Sequence, residues 1–416
     1  MKTVIMAGGK GTRISSVAKD IPKPMIEIGG KPVLEHEIEC LREQGFTDII
    51  ITVSHLGKVI MNHFSDGSKF GVDIEYYFER EPLGNAGALF KIRDKLTEDF
   101  FLLNADSLFN VDFNRFLKFH KEHGGFVTLF THPNSHPYDS GLIVTDSSGC
   151  VTDWLTKEDE RPQFYNNRVN AGLHIISPEL LKKEFDTEKI DLDRQLLKPL
   201  ANTGKMFAYQ SSEYVKDMGT PERYRSVCED YKKGIAEAKN LKVPQKAVFL
   251  DRDGTINKYK GFLKDIDDFE LLPGVTEAIK AINRSGYLAV VITNQPVIAR
   301  GEVTHSELDM IHKKMETLLG KGGAYIDALY YCPHHPDKGY DGEIEELKID
   351  CDCRKPKPGM LLKAAEDFNI DLSRSYMIGD GENDVMAAKA AGCKAIKIET
   401  DGDLLGAVEN ILEDKQ

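Results

Sequence analysis

Short apolar runs alternate with helix-period segments from the start of the chain. Apolar runs at 3–7, 48–54 and 100–105 read as strands, and an amphipathic stretch over 33–44 reads as a helix. Strands alternating with helices predict a wound α/β sheet. Between 124 and 214 the pattern becomes strand-rich, with runs at Val127–His132, 141–145, Val169–Ile176 and Met206–Gln210, which predicts a mixed sheet with an inserted β region. Residues 221–239 read as one helix, with Thr220 as N-cap and Pro221 in the first helical position.

A short linker, 240–245, ends in Val-Pro, and beyond it a second α/β series starts afresh. Its strands are expected at 247–250, 288–293 and 375–378, with helices after Pro273 and near 304–319. The pattern thus predicts two Rossmann-like α/β domains, 1–240 and 246–416, without solenoid repeats or low-complexity tracts.

Composition narrows the function. A hydrophobic fraction of 41% and a charged fraction of 29% are those of a globular protein, and no apolar run approaches the roughly 20 residues of a membrane span. The start of the chain has no signal-peptide pattern, which points to the cytoplasm. A formal charge of −13 argues against nucleic-acid and anionic-membrane surfaces, which need a broad basic face. Small anionic substrates remain compatible, and so does a homo-oligomer. Of seven cysteines, Cys332, Cys351 and Cys353 share one short segment, which suggests a metal rather than disulfides.

In the first half, Ala7-Gly8-Gly9-Lys10-Gly11-Thr12-Arg13 follows a strand, where glycines let backbone N–H groups approach a polyphosphate. Its spacing is neither that of a Walker A loop nor G-x-G-x-x-G, and alone it is also compatible with an ordinary strand-to-helix turn. Pro22-Lys23-Pro24 mounts a lysine on a stiff backbone. Asn104-Ala105-Asp106 ends an apolar strand, and Asp217-Met218-Gly219-Thr220-Pro221 offers a second carboxylate, so the pair Asp106 and Asp217 could hold one magnesium.

With Glu81-Pro82-Leu83-Gly84-Asn85-Ala86-Gly87-Ala88 and Asn170-Ala171-Gly172, this ordered set over about residues 1–235 resembles the sugar-1-phosphate nucleotidyltransferase family. The resemblance implies that Arg13 and Lys23 neutralise the triphosphate and sugar phosphate, and that Asp106 and Asp217 bind Mg²⁺. Gly8, Gly9, Gly11 and Thr12 would cradle phosphate, Gly84, Asn85 and Gly87 would face the base, and Glu158 and Asn170 would lie near the sugar. The reaction is attack of a sugar phosphate on the α-phosphorus of a nucleoside triphosphate, in which positioning and charge neutralisation suffice without a protein nucleophile. The details resemble the heptose-1-phosphate guanylyltransferase branch; mannose 1-phosphate or another base stands as the alternative.

In the second half, Asp251-Arg252-Asp253-Gly254-Thr255 directly follows an apolar strand. An EF-hand would want a glutamate where Phe262 stands. Thr293-Asn294-Gln295, Arg354-Lys355 and Asp380 with Asp384 complete a set that resembles the haloacid-dehalogenase-like phosphatases over about residues 246–412. That implies Asp251 as nucleophile, Asp253 as acid and base, Thr293, Asn294, Arg354 and Lys355 against the substrate, and Mg²⁺ on Asp251, Asp380 and the backbone carbonyl of Asp253. Cys332, His334, Cys351 and Cys353 supply the donors of a closed structural zinc site, with His335 or His305 as alternatives to His334. The whole resembles the heptose-1,7-bisphosphate 7-phosphatase group, with histidinol-phosphate phosphatases close by. It departs where Pro296-Val297 replaces the group's usual Ser-Gly and where Gly381 replaces a lysine.

The combined reading is a bifunctional enzyme acting on sugar phosphates and a nucleoside triphosphate. The alternative from another class is a phosphatase regulated by a non-catalytic nucleotide-sugar sensor.

Overall fold

The computed structural model describes residues 1–9, 21–156 and 158–413. Lys10, Gly11, Thr12 and Arg13 of the expected phosphate loop lie outside the described residues. The chain divides into two compact units: Met1–His132, Ile143–Thr156 and Asn170–Asn240 form the first, and Pro133–Leu142, Lys157–Val169 and Leu241–Gln416 the second. No described helix is long and apolar enough to cross a membrane.

In the first unit, Thr3–Met6 lies between the parallel strands Asp48–Val53 and Phe100–Asn104, with Asp73–Phe78 parallel beyond Asp48–Val53. Thr3–Met6, Asp48–Val53 and Phe100–Asn104 are apolar and buried on both faces, as central parallel strands are, whereas Asp73–Phe78 at the edge is partly exposed. Val169–Ile176 then runs antiparallel to Phe100–Asn104, which makes the sheet mixed. The helix Val33–Arg42 buries Leu34, Ile38 and Leu41, which its period puts on one face. A separate ribbon pairs Ser107–Asn110 antiparallel with Tyr214–Asp217.

The expected helix over 221–239 is two helices, Pro221–Lys232 and Ile235–Ala238. Gly234 breaks it by taking a left-handed conformation, φ +68°, a single-residue choice that the surrounding helix-favouring sequence conceals.

The second unit holds a five-stranded parallel sheet, ordered Ala328–Cys332, Tyr287–Asn294, Lys246–Leu250, Tyr376–Gly379, Lys394–Lys397. Chain order reverses direction across Lys246–Leu250, so the crevice at the carboxyl ends of this strand and Tyr376–Gly379 is where such sheets bind ligands. The helix His305–Lys321 starts at a capping box made by Thr304 and Glu307. Its inner face buries Leu308, Ile311, Met315 and Leu319, and also the polar His312, Glu316 and Thr317.

Candidate functional sites

The first unit contains a cavity of about 560 Å³ at the carboxyl ends of its parallel strands. Gly8, Gly9, Lys23, Gly84, Asn85 and Asp106 line it, together with Glu79 and Gly219. Asp106 arrives on the end of the strand Phe100–Asn104, and Lys23 Nζ meets its Oδ2 at 2.5 Å. The ribbon brings the second carboxylate beside the first: Asp217 is in register with Ser107, and Met218 N–H donates to the carbonyl of Asp106 at 3.1 Å. Asp217 pairs with Arg223 at 3.0 Å and accepts from Gly219 N–H at 2.8 Å. Burial opposes its ionisation, but Arg223 and the Gly219 amide outweigh burial and hold the carboxyl below its usual range.

Other expected residues stand elsewhere. Asn85 lines the cavity and also fixes it from behind, its Oδ1 accepting from Leu192 N–H at 2.7 Å. Gly87 is not in the cavity wall: a Cβ there would lie 2.3 Å from the Glu188 carbonyl, so close backbone packing demands the glycine. Asn170 is also outside the wall; its Oδ1 accepts from Gly172 N–H at 3.2 Å and sits 3.1 Å from His174 Nε2. Glu158 belongs to the segment Lys157–Val169, which clusters with the second unit. Glu79 escaped sequence reading because it stands just before the glycine motif, among other charges.

In the second unit the sites converge at the strand ends. Asp251 N–H donates to the Ile378 carbonyl at 3.0 Å, which sets the Asp251 side chain beside the end of Tyr376–Gly379. Lys355 is buried, with Nζ 2.8 Å from Asp251 Oδ1, 2.5 Å from Asp384 Oδ1 and 2.8 Å from the Ile292 carbonyl. Carboxylate oxygens of Asp251, Asp380 and Asp384 come within 4.8 Å of one another. Gly254 makes room for this, since a Cβ there would stand 2.5 Å from Asp380 Oδ2. Asn294 bridges the site to Lys355: its Oδ1 accepts from Lys355 N–H at 3.0 Å and its Nδ2 donates to the Lys355 carbonyl at 3.0 Å. Thr293 is buried, and its Oγ1 accepts from Gln295 Nε2 at 2.8 Å.

Burial pushes the Asp251 carboxyl up to about 7, against the pull of Lys355. Burial also opposes ionisation of Asp253, yet Arg252, Asn257 and Gln295 outweigh it and hold that carboxyl below its usual range. Two carboxylates two residues apart are therefore driven in opposite directions by their surroundings. The side chain of Asp253 is fully engaged with Arg252, Asn257 and Gln295, whereas Asp384, in the first turn of the helix Glu382–Ala391, joins the potential metal group.

The donor atoms of Cys332, His334, Cys351 and Cys353 also cluster within 4.8 Å, with sulfur separations of 3.2 to 3.5 Å. His334 Nδ1 is 3.3 Å from Cys353 Sγ. The alternatives point elsewhere: His305 Nδ1 meets the Tyr331 hydroxyl at 3.1 Å, and His335 Nδ1 accepts from Asp337 N–H at 3.2 Å. Hydrogen bonds from the neighbouring thiols draw the Cys353 thiol down to about 5, and the same contact pushes the Cys332 thiol up. Arg354 continues from this clip and donates to the His334 carbonyl at 3.2 Å. Arg300 stacks at 4.0 Å on Phe262 and 4.4 Å on Tyr340, its Nε meeting no acceptor among the described residues. Burial first, then the charges of Arg354 and Arg300, hold His335 below its usual range, which puts both guanidinium groups near one imidazole.

Two sites built from lysine and carboxylates at strand ends define an enzyme of phosphate chemistry. The chain belongs to the nucleotidyl transferase family, whose model matches residues 2–234, and to the haloacid dehalogenase-like hydrolase family, whose model matches residues 144–392. It is 46% identical over 145 residues to the D-glycero-beta-D-manno-heptose-1,7-bisphosphate 7-phosphatase of Escherichia coli strain K12, covering 35% of this chain and 74% of that protein. It is 33% identical over 230 residues to probable mannose-1-phosphate guanylyltransferase 2 of Oryza sativa subsp. japonica, covering 54% of this chain and 63% of the rice protein, less than two thirds of its length. A crystal structure of HddC from Yersinia pseudotuberculosis complexed with GMP-PN is 27% identical, with a TM-score of 0.48, covering 55% of this chain and 99% of that one.

Proposed function

We propose that the chain removes the 7-phosphate of a heptose 1,7-bisphosphate in its second unit and transfers GMP from GTP to the resulting heptose 1-phosphate in its first. The observation that carries this reading is the pair of separate lysine–carboxylate sites, Lys23 with Asp106 and Lys355 with Asp251 and Asp384.

In the first unit the Lys23 ammonium neutralises phosphate oxygens, and the glycine backbone at 8–9 admits them closely. Asp106 and Asp217, all-oxygen donors on adjoining backbone, suit a hard cation and would hold Mg²⁺. Glu79 supports guanine: a carboxylate at the cavity wall matches the two adjacent N–H donors of that base's edge and opposes the acceptor edges of adenine and cytosine.

In the second unit the negative charge of an entering phosphate favours protonation of the neighbouring Asp253; Asp251 attacks phosphorus, and the departing sugar oxygen takes that proton from Asp253. Water then attacks the aspartyl phosphate, returning a proton to Asp253 and freeing phosphate. Lys355 and Thr293 hold phosphoryl oxygens throughout. Asp251, Asp380 and Asp384 fit Mg²⁺ by donor type and spacing, and the cation would favour ionised Asp251 and offset phosphoryl charge. Arg300 and Arg354, near one imidazole, supply positive charge for a second phosphate on the substrate. The Cys₃His clip would hold structural Zn²⁺ and so order the segment that ends in Arg354 and Lys355.

The test is a matrix of sugar phosphates against four nucleoside triphosphates, run with two variants. Asp251→Asn should lower phosphate release at least 1,000-fold and spare pyrophosphate release, and Asp106→Ala the reverse. Loss of both activities in either folded variant would contradict two independent sites, and release of pyrophosphate equally from all four triphosphates would contradict the guanine assignment.

A further inference from the structure

Of the three carboxylates that would hold the cation in the second unit, two are fixed by lysine and by backbone donors. Asp251 meets Lys355 Nζ at 2.8 Å and accepts from Arg252 N–H at 2.7 Å. Asp384 meets the same Nζ at 2.5 Å and accepts from Gly381 N–H at 3.0 Å. Asp380, one residue beyond the strand Tyr376–Gly379, belongs to the same group but makes no ion pair among the described residues. What its side chain does meet is the hydroxyl of Thr400, whose Oγ1 donates to Asp380 Oδ2 at 2.7 Å. The other oxygen, Oδ1, accepts no hydrogen bond among the described residues.

Thr400 stands in a turn that its neighbours hold still. The chain leaves the edge strand Lys394–Lys397, and Ile398 N–H donates to the Gly379 carbonyl at 3.1 Å before the turn begins. Gly402 N–H closes the turn onto the Glu399 carbonyl at 2.8 Å, where a Cβ on Gly402 would stand 2.6 Å from that oxygen. Asp401 takes a left-handed conformation, φ +59°, which aspartate adopts more readily than most residues. Its N–H donates to the Gly254 carbonyl at 2.8 Å, and its Oδ1 accepts from Tyr259 N–H at 2.7 Å. The turn is thus pinned to the loop that carries Asp251 and Asp253. Gly254 lies close to both partners, since a Cβ there would stand 2.5 Å from Asp380 Oδ2 and 3.2 Å from Thr400 Cγ2. A threonine is stiff at χ1, so with its methyl beside Gly254 its hydroxyl stays on Asp380.

We propose that Thr400 is a positioning residue for the cation site, its hydroxyl holding Oδ2 of Asp380 and leaving Oδ1 for Mg²⁺. The proposal rests on the phosphatase reading, in which Asp380 is a metal ligand. A carboxylate can only accept, so the hydroxyl donates, and a hydrogen bond to an ionised acceptor is one of the stronger kinds. Without it the Asp380 side chain is free to turn, and the cation must order it on binding. Partners one step removed from a metal change its affinity by roughly 10- to 100-fold. Loss of the hydroxyl therefore weakens cation binding and leaves the rate at saturating cation nearly unchanged, whereas a collapsed turn damages both.

The experiment titrates Mn²⁺, which takes the same oxygen donors as Mg²⁺, and follows the paramagnetic resonance signal of the free ion. The parent is the full-length chain carrying Asp106→Ala and Asp217→Ala, which removes the paired carboxylates of the first unit. Thr400→Val, Thr400→Ser and Asp380→Ala are added to it singly. Thr400→Val should raise the Mn²⁺ dissociation constant about tenfold or more, and Thr400→Ser should stay within about threefold of the parent. In phosphate release from a heptose 1,7-bisphosphate, the Mg²⁺ concentration for half-maximal rate should rise by a similar factor in Thr400→Val, while the rate at saturating Mg²⁺ falls less than about threefold. An unchanged dissociation constant in Thr400→Val, equal weakening in the valine and serine variants, or a saturated rate that falls as far as the affinity overturns the proposal. If Thr400→Val does not fold, Thr400→Ala is compared with Thr400→Ser by the same criteria. A parent that binds no Mn²⁺, whose binding survives Asp380→Ala, or that releases no phosphate contradicts the phosphatase reading itself and is thereby told apart from failure of the Thr400 role alone.

Discussion

Single residues carry most of the chemistry, and some of them also make stability depend on pH. His174 is buried within the strand Val169–Ile176, and burial lowers its imidazole from 6.5 to about 4. Above the unfolded value both states are neutral and the group contributes nothing to the pH dependence. As pH falls through 6.5 the unfolded chain protonates first, so the folded state loses ground until it too protonates near 4. The loss over that window is about 3 kcal/mol at most, from roughly 1.4 kcal/mol per pKa unit. Urea denaturation at pH 7 and pH 5 should show it, and His174→Gln, which keeps a donor toward Asn170, should flatten the difference; an unchanged slope would remove His174 as its source. Asp106 and Asp251 were legible in the sequence because each sits in a short motif at a strand end, and Lys23 and Lys355 because each stands in a short motif next to a proline. Asp384 was visible as an acid after Asp380, but its ion pair with Lys355 was not, because nothing local says which carboxylate a buried lysine will meet.

At the scale of elements, the motif-bearing strands were readable because a run of buried β-branched residues followed by a polar motif is a local pattern. The helix break at Gly234 was not, because one left-handed glycine inside a helix-favouring stretch changes no periodicity. The cysteine segment between Ala328–Cys332 and Gly359–Phe368 has only short 3₁₀ structure of its own, at Glu345–Leu347, so its order depends on what its side chains bind. Purified chain should contain one zinc per molecule, measured by atomic emission, if the clip fills as its donors imply. Cys351→Ser should release that zinc, open the segment to protease and lower phosphate release more than tenfold, while pyrophosphate release stays unchanged. A Cys351→Ser chain that keeps full phosphatase activity would detach the clip from Lys355.

The whole molecule adds what neither motifs nor single elements contain. The second unit is discontinuous in sequence, drawing on Pro133–Leu142 and Lys157–Val169 as well as everything from Leu241. Within it, Glu316 is buried and accepts from Asn167 N–H at 2.8 Å and Asn166 Nδ2 at 3.1 Å, with Arg168 3.7 Å away. The Thr317 hydroxyl accepts from Tyr165 N–H at 2.9 Å and donates to the Tyr165 carbonyl at 3.2 Å. Replacing Glu316 with alanine strips acceptors from these donors and should destabilise the second unit by about 1–3 kcal/mol, the usual cost of buried polar groups left unpaired. Calorimetry of the full chain should show one transition lowered, and an unchanged thermogram would mean water replaces the carboxylate freely. The sequence alone determined two α/β folds, their phosphate motifs and the zinc-type donor set, because these follow from local periodicity and from residues within a few positions of a strand end. Tertiary structure decided the partner of Lys355, the hydroxyl that meets Asp380 and the attachment of Lys157–Val169. A helix pattern tells which face is buried, but the groups that meet that face come from distant parts of the chain and are chosen only when the chain has packed.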